Sequence, residues 1–133
     1  MMRILQPPGW AKPKGFANGI AVKGGTTVYI AGQVGCNGRG EWREKSFAGQ
    51  FRQALHNILE VLSEAGGRPE HIVRLTWYVL DKAEYLGSLE EVGAAYRELM
   101  GRHYPVMAVV QMSGLVEDAA RLEIEATAVV PGD

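Results

Sequence analysis

The sequence predicts an α+β fold in which two helices cover one face of a single mixed β-sheet. Segments with apolar residues at every third or fourth position lie between segments that alternate at every second position, in the order β-β-α-β-α-β-β. The 133 residues suit one domain with a full core, and no linker, repeat or low-complexity tract divides them. We therefore treat residues 1–133 as one domain with both helices on the same side of the sheet.

Loops and strands precede the first helix. The first 19 residues are rich in proline, glycine and lysine, so they should be extended or looped. Residues 26–35, TTVYIAGQVG, are rich in β-branched and aromatic residues and predict a strand. The pair Asn37-Gly38 that follows predicts a turn.

The apolar period changes to that of a helix at Ser46. Apolar residues then recur at spacings of three and four, at Phe47, Phe51, Leu55, Ile58 and Leu62. Serine is a residue type that caps helices, and Gly66 with Gly67 can end the helix. These signals predict an amphipathic helix whose apolar face packs on the sheet.

Residues 71–80, HIVRLTWYVL, alternate as a strand does. One face is predicted to carry Val73, Leu75, Trp77 and Val79, and the other Arg74, Thr76 and Tyr78. A second helix follows, in which Ser88 and Glu91 form a Ser-x-x-Glu capping box and Gly101 is the stop. Its apolar stripe is Leu89, Val92, Tyr96 and Leu99.

Two strands close the chain, at about residues 106–112 and 121–130. In the last one, Leu122, Ile124, Ala126 and Ala128 face the helices. The opposite face of the sheet is predicted to carry Arg74, Thr76, Tyr78, Met107, Val109, Gln111, Glu123, Glu125 and Thr127. This mixture is too apolar for a face in water and too polar for a core. It suits a surface covered by other subunits, so we expect an oligomer.

Charge and composition narrow the classes of partner. The net charge is −1, from 14 basic and 15 acidic residues without a basic block, so a nucleic-acid partner is not expected. No apolar run approaches a membrane span, no signal peptide is recognisable and the single cysteine, Cys36, has no partner, which favours a cytoplasmic protein. The three histidines lack metal-binding spacing, so no metal site is expected.

Several motifs appear together in a familiar order. They are YIAGQVG, QALHNILEVLSEAGG, IVRLTWYV, YP before a strand, and LEIEATAVV near the end. With them the chain, from about residue 15 to residue 130, resembles the YjgF/RidA-like family of reactive-intermediate deaminases. The resemblance implies a fold like that of the trimeric chorismate mutases, and a homotrimer whose sheets form a central barrel with clefts between neighbouring subunits. It also implies hydrolysis of 2-aminoacrylate-type enamines and imines to 2-keto acids and ammonia, without metal or organic cofactor.

This chemistry needs a carboxyl group that moves protons and a cation that holds the carboxylate of the substrate. By the resemblance, the catalytic carboxyl corresponds to Glu123, and the glycine at the strand end corresponds to Gly32, followed by Gln33. A family tyrosine corresponds to Phe16, and an asparagine on the second helix to Gly93.

The family arginine that holds the substrate carboxylate corresponds to Met107, and a backbone contact two residues later corresponds to Val109. A thioether cannot hold a carboxylate, and losing such a contact with a buried charge costs about 2–5 kcal/mol. Either the ligand is less anionic or more apolar, or another cation reaches in. The candidates close in sequence or on the same face are Arg102 and Arg74.

The residues leave alternatives open. Glu123 is either the catalytic acid and base or a partner of Arg74 or Arg121 in an ion pair. The chain is either a deaminase-type hydrolase with an altered small-molecule substrate or a trimeric small-molecule-binding or regulatory protein without turnover. RNA cleavage with inhibition of translation is a third possibility, against which the near-neutral charge argues.

Overall fold

A computed structural model describes residues 2–132 of the chain. Its elements in chain order are β1 (Met2–Leu5), β2 (Gly19–Val22), β3 (Thr26–Val34), α1 (Phe47–Ser63), β4 (Ile72–Val79), α2 (Lys82–Gly87), α3 (Leu89–Met100), β5 (Val106–Gln111) and β6 (Leu122–Val130). A short 3₁₀ turn, Pro69–His71, leads into β4.

The main sheet has four strands in the order β3-β6-β4-β5. β4 and β5 run parallel, and the other neighbours run antiparallel, so the sheet is mixed. Together with the two long helices packed on one face, this confirms the predicted α+β class. The N-terminal segment differs from the prediction, because β1 and β2 pair with each other in a separate ribbon. An isolated bridge between Ala17 and Val106 ties this segment to the β5 edge.

Helix α1 supplies most of the core, as its apolar period predicts. All five residues of the predicted stripe, Phe47, Phe51, Leu55, Ile58 and Leu62, are buried. Ser46 caps the helix, because its hydroxyl accepts a hydrogen bond from the Gly49 amide at 3.0 Å. Burial of each large apolar side chain contributes about 1.5–3 kcal/mol, so this face anchors the helix to the sheet.

Strand β4 begins with a bulge that the sequence alternation does not show. The pairing with β6 shifts between Ile72 and Arg74, so Ile72 is the buried residue and Val73 is only half-buried. The prediction that Val73 faces the core is therefore wrong. The alternation resumes at Leu75, after which the buried positions are as predicted.

The connection after β4 contains a helix, α2, that was not predicted. Asp81 caps it, accepting hydrogen bonds from the amides of Ala83 at 2.9 Å and Glu84 at 3.4 Å. The hydroxyl of Ser88 donates to the Glu84 carbonyl at 2.8 Å, in the last turn of α2. It makes no cap hydrogen bond to α3, so the predicted capping box with Glu91 is wrong. Leu89, predicted in the apolar stripe, is 48% exposed.

The face of the sheet opposite the helices, here called the open face, differs from the prediction at one strand. From β4 and β6 it carries the expected residues, Arg74, Thr76, Tyr78, Glu123, Glu125 and Thr127. The parallel register places Met107 beside buried Leu75 and Val109 beside buried Trp77. Neighbours in register share a face, so Met107, Val109 and Gln111 lie on the helix side. The prediction that they share the open face is wrong, and Val106, Ala108 and Val110 take their places.

Candidate functional site

A cavity of about 550 Å³ lies where α3, the β5 edge and the N-terminal segment meet. Its aromatic walls are Phe16, Trp77, Tyr85, Tyr96 and Tyr104. Its aliphatic walls are Leu89, Val92, Met107 and Val109. This volume and lining are typical of a pocket for a small organic molecule.

The aromatic walls are held in place by contacts behind them. Trp77 stacks on Phe51 of α1 with ring centroids 4.7 Å apart, and it meets Tyr85 edge-on at 5.9 Å. Tyr96 and Tyr104 stack almost parallel at 5.3 Å. The Tyr96 hydroxyl donates to the carbonyl of His103 at 2.6 Å. Rings held by such contacts form a preformed part of the cavity wall.

The cavity carries positive charge. Lys14 and Arg97 line it, and its described lining includes no aspartate or glutamate. Burial raises the pKa of the Tyr85 hydroxyl. Burial, with a smaller effect of nearby Tyr104, also raises the pKa of Tyr96, so both phenols are neutral at physiological pH. The field inside the cavity therefore favours an anion.

Trp77, one of the lining residues, has a buried polar group without a partner. It is 3% exposed, and its indole N–H donates to no acceptor among residues 2–132. A buried donor left without an acceptor costs about 1–3 kcal/mol, and such groups are uncommon in folded proteins. The indole nitrogen has almost no accessible surface, so this unsatisfied donor is a local cost within the fold behind the cavity wall.

A second cluster, formed by Gly32, Gln33 and Glu123, lies at the junction of β3 and β6. The strand register shifts between Ile30 and Gln33, and the Gln33 amide donates to the Ala31 carbonyl at 3.2 Å across this irregularity. The Glu123 carboxylate lies directly over Gly32, where an added Cβ would overlap its Oε2. The missing side chain at Gly32 therefore makes room for the Glu123 carboxylate.

Glu123 is half-buried and forms no ion pair with any cation of the described chain. Arg121 is engaged elsewhere, donating to Glu84 at 2.5 Å and to the Lys45 carbonyl at 2.8 Å. On the same strand as Glu123, Glu125 accepts a hydrogen bond from the Tyr78 hydroxyl at 2.5 Å. That bond is the main cause of a raised pKa for Tyr78, with desolvation and the charges of the two glutamates adding to it. These contacts do not support the ion-pair alternative for Glu123, because no cation of the described residues pairs with its carboxylate.

Neither of the two cations proposed from sequence lines the cavity. Arg102 is exposed after α3, and Arg74 is exposed on the open face beside Val106 and Ala108. Sequence reasoning missed Arg97 and Lys14, which do line it. The available signal was helical spacing, since residues four apart on α3 are neighbours on its surface and Arg97 follows Gly93 by four.

Comparison with known proteins identifies the family of this chain. Residues 13–130 match the family model described as endoribonuclease L-PSP. The chain belongs to this family, which is also called YjgF/RidA. A RutC family protein of Pyrococcus horikoshii is 33% identical over 109 residues, covering 81% of this chain and 82% of the relative. The human 2-iminobutanoate/2-iminopropanoate deaminase is 30% identical over 104 residues, covering 77% of this chain and 72% of the relative.

Solved YjgF/RidA structures have the same fold. The crystal structure of YyfB from Yersinia pestis, a Rid family protein of unknown function, superposes with a TM-score of 0.86 at 29% identity. It covers 97% of this chain and 98% of its own. A YjgF/YER057c/UK114 family member from Mycobacterium tuberculosis gives a TM-score of 0.66 at 29% identity, covering 87% of each chain.

The YjgF/RidA correspondences fall into two groups in one chain. Phe16, Gly93, Met107 and Val109 meet in the cavity on the helix side of the sheet. Gly32, Gln33 and Glu123 meet in the second cluster, where Glu123 points to the open face. Most of the predicted site residues therefore fall into two groups on opposite faces of the sheet, and Arg74 and Arg102 belong to neither group.

The described chain offers little for other classes of site. No three histidine, cysteine, aspartate or glutamate side chains within residues 2–132 are grouped to hold a metal ion. Over the same residues, no helix combines the length and the apolarity needed to cross a membrane.

Replacing Gly32 with alanine is expected to lower any turnover that depends on Glu123 by about tenfold or more, because the new Cβ displaces the carboxylate. Gly32 does not have a positive φ, so the effect is steric and the backbone is not strained. Rates of ammonia release from imines, with thermal unfolding as a check of folding, measure it. Gly38→Ala is the matched control, since its Cβ would meet nothing within 4 Å. Equal rates for Gly32→Ala and the parent would contradict the role given to this contact.

Proposed function

We propose that this protein is a RidA-like hydrolytic deaminase that acts on a reactive imine or enamine, at sites completed between neighbouring protomers of a homotrimer. Its family membership and its 30% identity to a named 2-iminobutanoate/2-iminopropanoate deaminase support the reaction class. The observation that carries the proposal is the pair of half-sites, one with a carboxylate free of cations and one with a cationic cavity. Neither half alone contains what hydrolysis of an imino acid needs.

The residues of the open face favour an assembly in which the carboxylate cluster of one protomer lies next to the cavity of another. Tyr29 on the edge strand β3 is 81% exposed, and Val110 on the opposite edge is 41% exposed. Between them lie Thr76, Tyr78 and the two glutamates of β6. Such a mixture of apolar and polar groups suits a subunit interface with a polar cleft, and a cyclic arrangement brings one protomer's carboxylate cluster to the next protomer's cavity edge.

In the proposed reaction, Glu123 moves the protons. Its carboxylate takes a proton from a water molecule as the water oxygen bonds to the imine carbon, and the carboxyl then gives that proton to the imine nitrogen. The carboxylate then moves the hydroxyl proton of the resulting carbinolamine to its nitrogen. The C=O bond forms as the C–N bond breaks, and ammonia leaves. One imine and one water give one carbonyl compound and one ammonia, so no redox partner is needed.

A second function is favoured by one residue. Met107 stands where the family arginine is expected, and its thioether cannot hold the carboxylate of an imino acid. A trimeric small-molecule-binding or regulatory protein without turnover would need no such anchor. Ammonia release from imines generated in place by an amino-acid oxidase separates the two functions, because only the deaminase accelerates it.

Mixed assemblies test the shared site directly. Glu123→Gln removes the carboxyl and keeps the cavity, whereas Gly93→Phe fills the cavity and keeps the carboxyl. A Cβ at residue 93 would meet only the end of Arg97, so the second variant should fold. Each variant alone is expected to be inactive, and an equal mixture assembled together should regain about a quarter of the parental activity, since a working interface needs one intact half from each neighbour.

Three outcomes decide the proposal. Regained activity in the mixture supports the shared site. An active parent whose two variants stay inactive when mixed would place both halves in one protomer and overturn it. A parent that binds small keto acids but does not accelerate ammonia release would overturn the deaminase and leave the binding protein.

A further inference from the structure

Arg97 on α3 is an exposed arginine that contributes to the cavity lining. It lines the cavity together with Met107 and Phe16. Its guanidinium folds back along α3 over Gly93, where an added Cβ would be 3.2 Å from Nη1 and 3.9 Å from both Cζ and Nη2. Side chains on a helix point back toward its N-terminus, which is the direction that brings this guanidinium over Gly93. Any side chain at residue 93 would crowd it.

The guanidinium is also free of acidic partners. The ion pairs of Arg43, Arg52, Arg68 and Arg121 are with Glu41, Glu98, Glu70 and Glu84. Glu98, the neighbour of Arg97 in sequence, is thus engaged with Arg52, and Arg97 itself pairs with no carboxylate among residues 2–132. Lys14, on the N-terminal segment, adds a second positive charge to the same cavity.

The rest of the cavity selects for size and apolarity. Besides the cations, the lining includes the rings of Phe16, Trp77 and Tyr104 and the side chains of Met107 and Val109. Methionine and aromatic rings contact a flat or branched apolar group well and give a small polar ligand little to bind. A volume of about 550 Å³ exceeds what a three- or four-carbon acid would fill.

We propose that Arg97 is the carboxylate anchor of this cavity and that its ligands are carboxylates carrying a bulky apolar or aromatic side chain. Gly93 makes room for the anchor, and Met107, in the place of the usual arginine, becomes apolar wall. The choice of imino acids as substrates rests on the proposed deaminase function, whereas the binding of such carboxylates does not. A planar guanidinium holds a carboxylate through two parallel hydrogen bonds, so its loss removes charge and geometry together.

Direct binding tests this anchor without turnover. Titration calorimetry on the assembled protein uses three probes: phenylpyruvate, pyruvate, which lacks the ring, and phenylpyruvamide, which lacks the negative charge. We expect the parent to bind phenylpyruvate most tightly. Arg97→Met should weaken phenylpyruvate binding by about tenfold or more and change phenylpyruvamide binding less than twofold. Arg97→Lys, which keeps the charge without the fork, should fall between the parent and Arg97→Met.

Control variants separate this anchor from general charge effects. Arg39→Met removes an exposed arginine that is not part of the cavity lining, and Arg102→Met removes the cation suggested by sequence. Both should bind phenylpyruvate as the parent does. The inference would be overturned if Arg97→Met bound phenylpyruvate as the parent does, or if only Arg102→Met lost binding. It would also be overturned if the parent showed no saturable binding. Arg97-dependent binding without ammonia release would keep it and overturn the deaminase instead.

Discussion

Glu123→Gln is expected to lower the rate of imine hydrolysis by about 100-fold or more, because the amide can neither accept the proton of water nor return it to the leaving nitrogen. The substitution keeps the size of the side chain, so the close contact with Gly32 is retained. No ion pair of the described residues is lost with the charge. The decrease should therefore appear in kcat, with little change in thermal unfolding or in phenylpyruvate binding.

Glu125→Gln provides a matched control on the same strand and the same face. Glu125 accepts its hydrogen bond from Tyr78, and a glutamine oxygen can accept that bond as well. The rate of this variant is expected to stay within about twofold of the parent, since surface substitutions away from a site have small effects. Parental rates for Glu123→Gln, or equal decreases for the two variants, would contradict the catalytic role of Glu123.

The first helix shows why much of the fold could be predicted from sequence. Its five apolar positions and its serine cap lie within one continuous segment, so the signal is local and the structure confirms each part. The last strand is similar, because it is central in the sheet and alternates cleanly between buried and accessible residues. Local patterns are reliable where burial on one face is complete.

The side on which Met107 lies could not be predicted in this way. Strand β5 is at the sheet edge, and none of its six residues is fully buried, so its alternation carries no information about which face meets the helices. The answer depends on the register with β4, which pairs Leu75 with Met107. A register is a contact between distant segments, and a shift by one residue exchanges the two faces.

The sequence did not point to Arg97, the proposed carboxylate anchor, for a related reason. Arg102 was predicted as the replacement cation because it is only five residues from Met107 in sequence. The cavity, however, is formed by the N-terminal segment, α3 and β5. Distance along the chain is a poor guide across such a junction. Helical spacing from Gly93 to Arg97 was the usable signal.

The second large effect concerns the support of the cavity wall. Phe51→Ala is expected to lower the free energy of unfolding by about 3–5 kcal/mol, the usual cost of removing a buried ring. Phe51 is fully buried on α1 and stacks on Trp77 at 4.7 Å, between the helix and the cavity. Domains of this size have a free energy of unfolding of about 5–15 kcal/mol, so this substitution removes a large part of it. Urea unfolding followed by tryptophan fluorescence measures it.

Two further variants show whether the stack also shapes the cavity. Phe51→Leu keeps most of the apolar volume and should cost about 1–2 kcal/mol, while Val61→Ala, on the exposed side of the same helix, should cost less than about 0.5 kcal/mol. If the ring of Phe51 holds Trp77 in the cavity wall, Phe51→Leu should weaken phenylpyruvate binding although the protein remains folded. A Phe51→Ala protein as stable as the parent would contradict the packing, whereas a folded Phe51→Leu with parental affinity would show that Tyr85, edge-on to Trp77 at 5.9 Å, suffices to fix the indole.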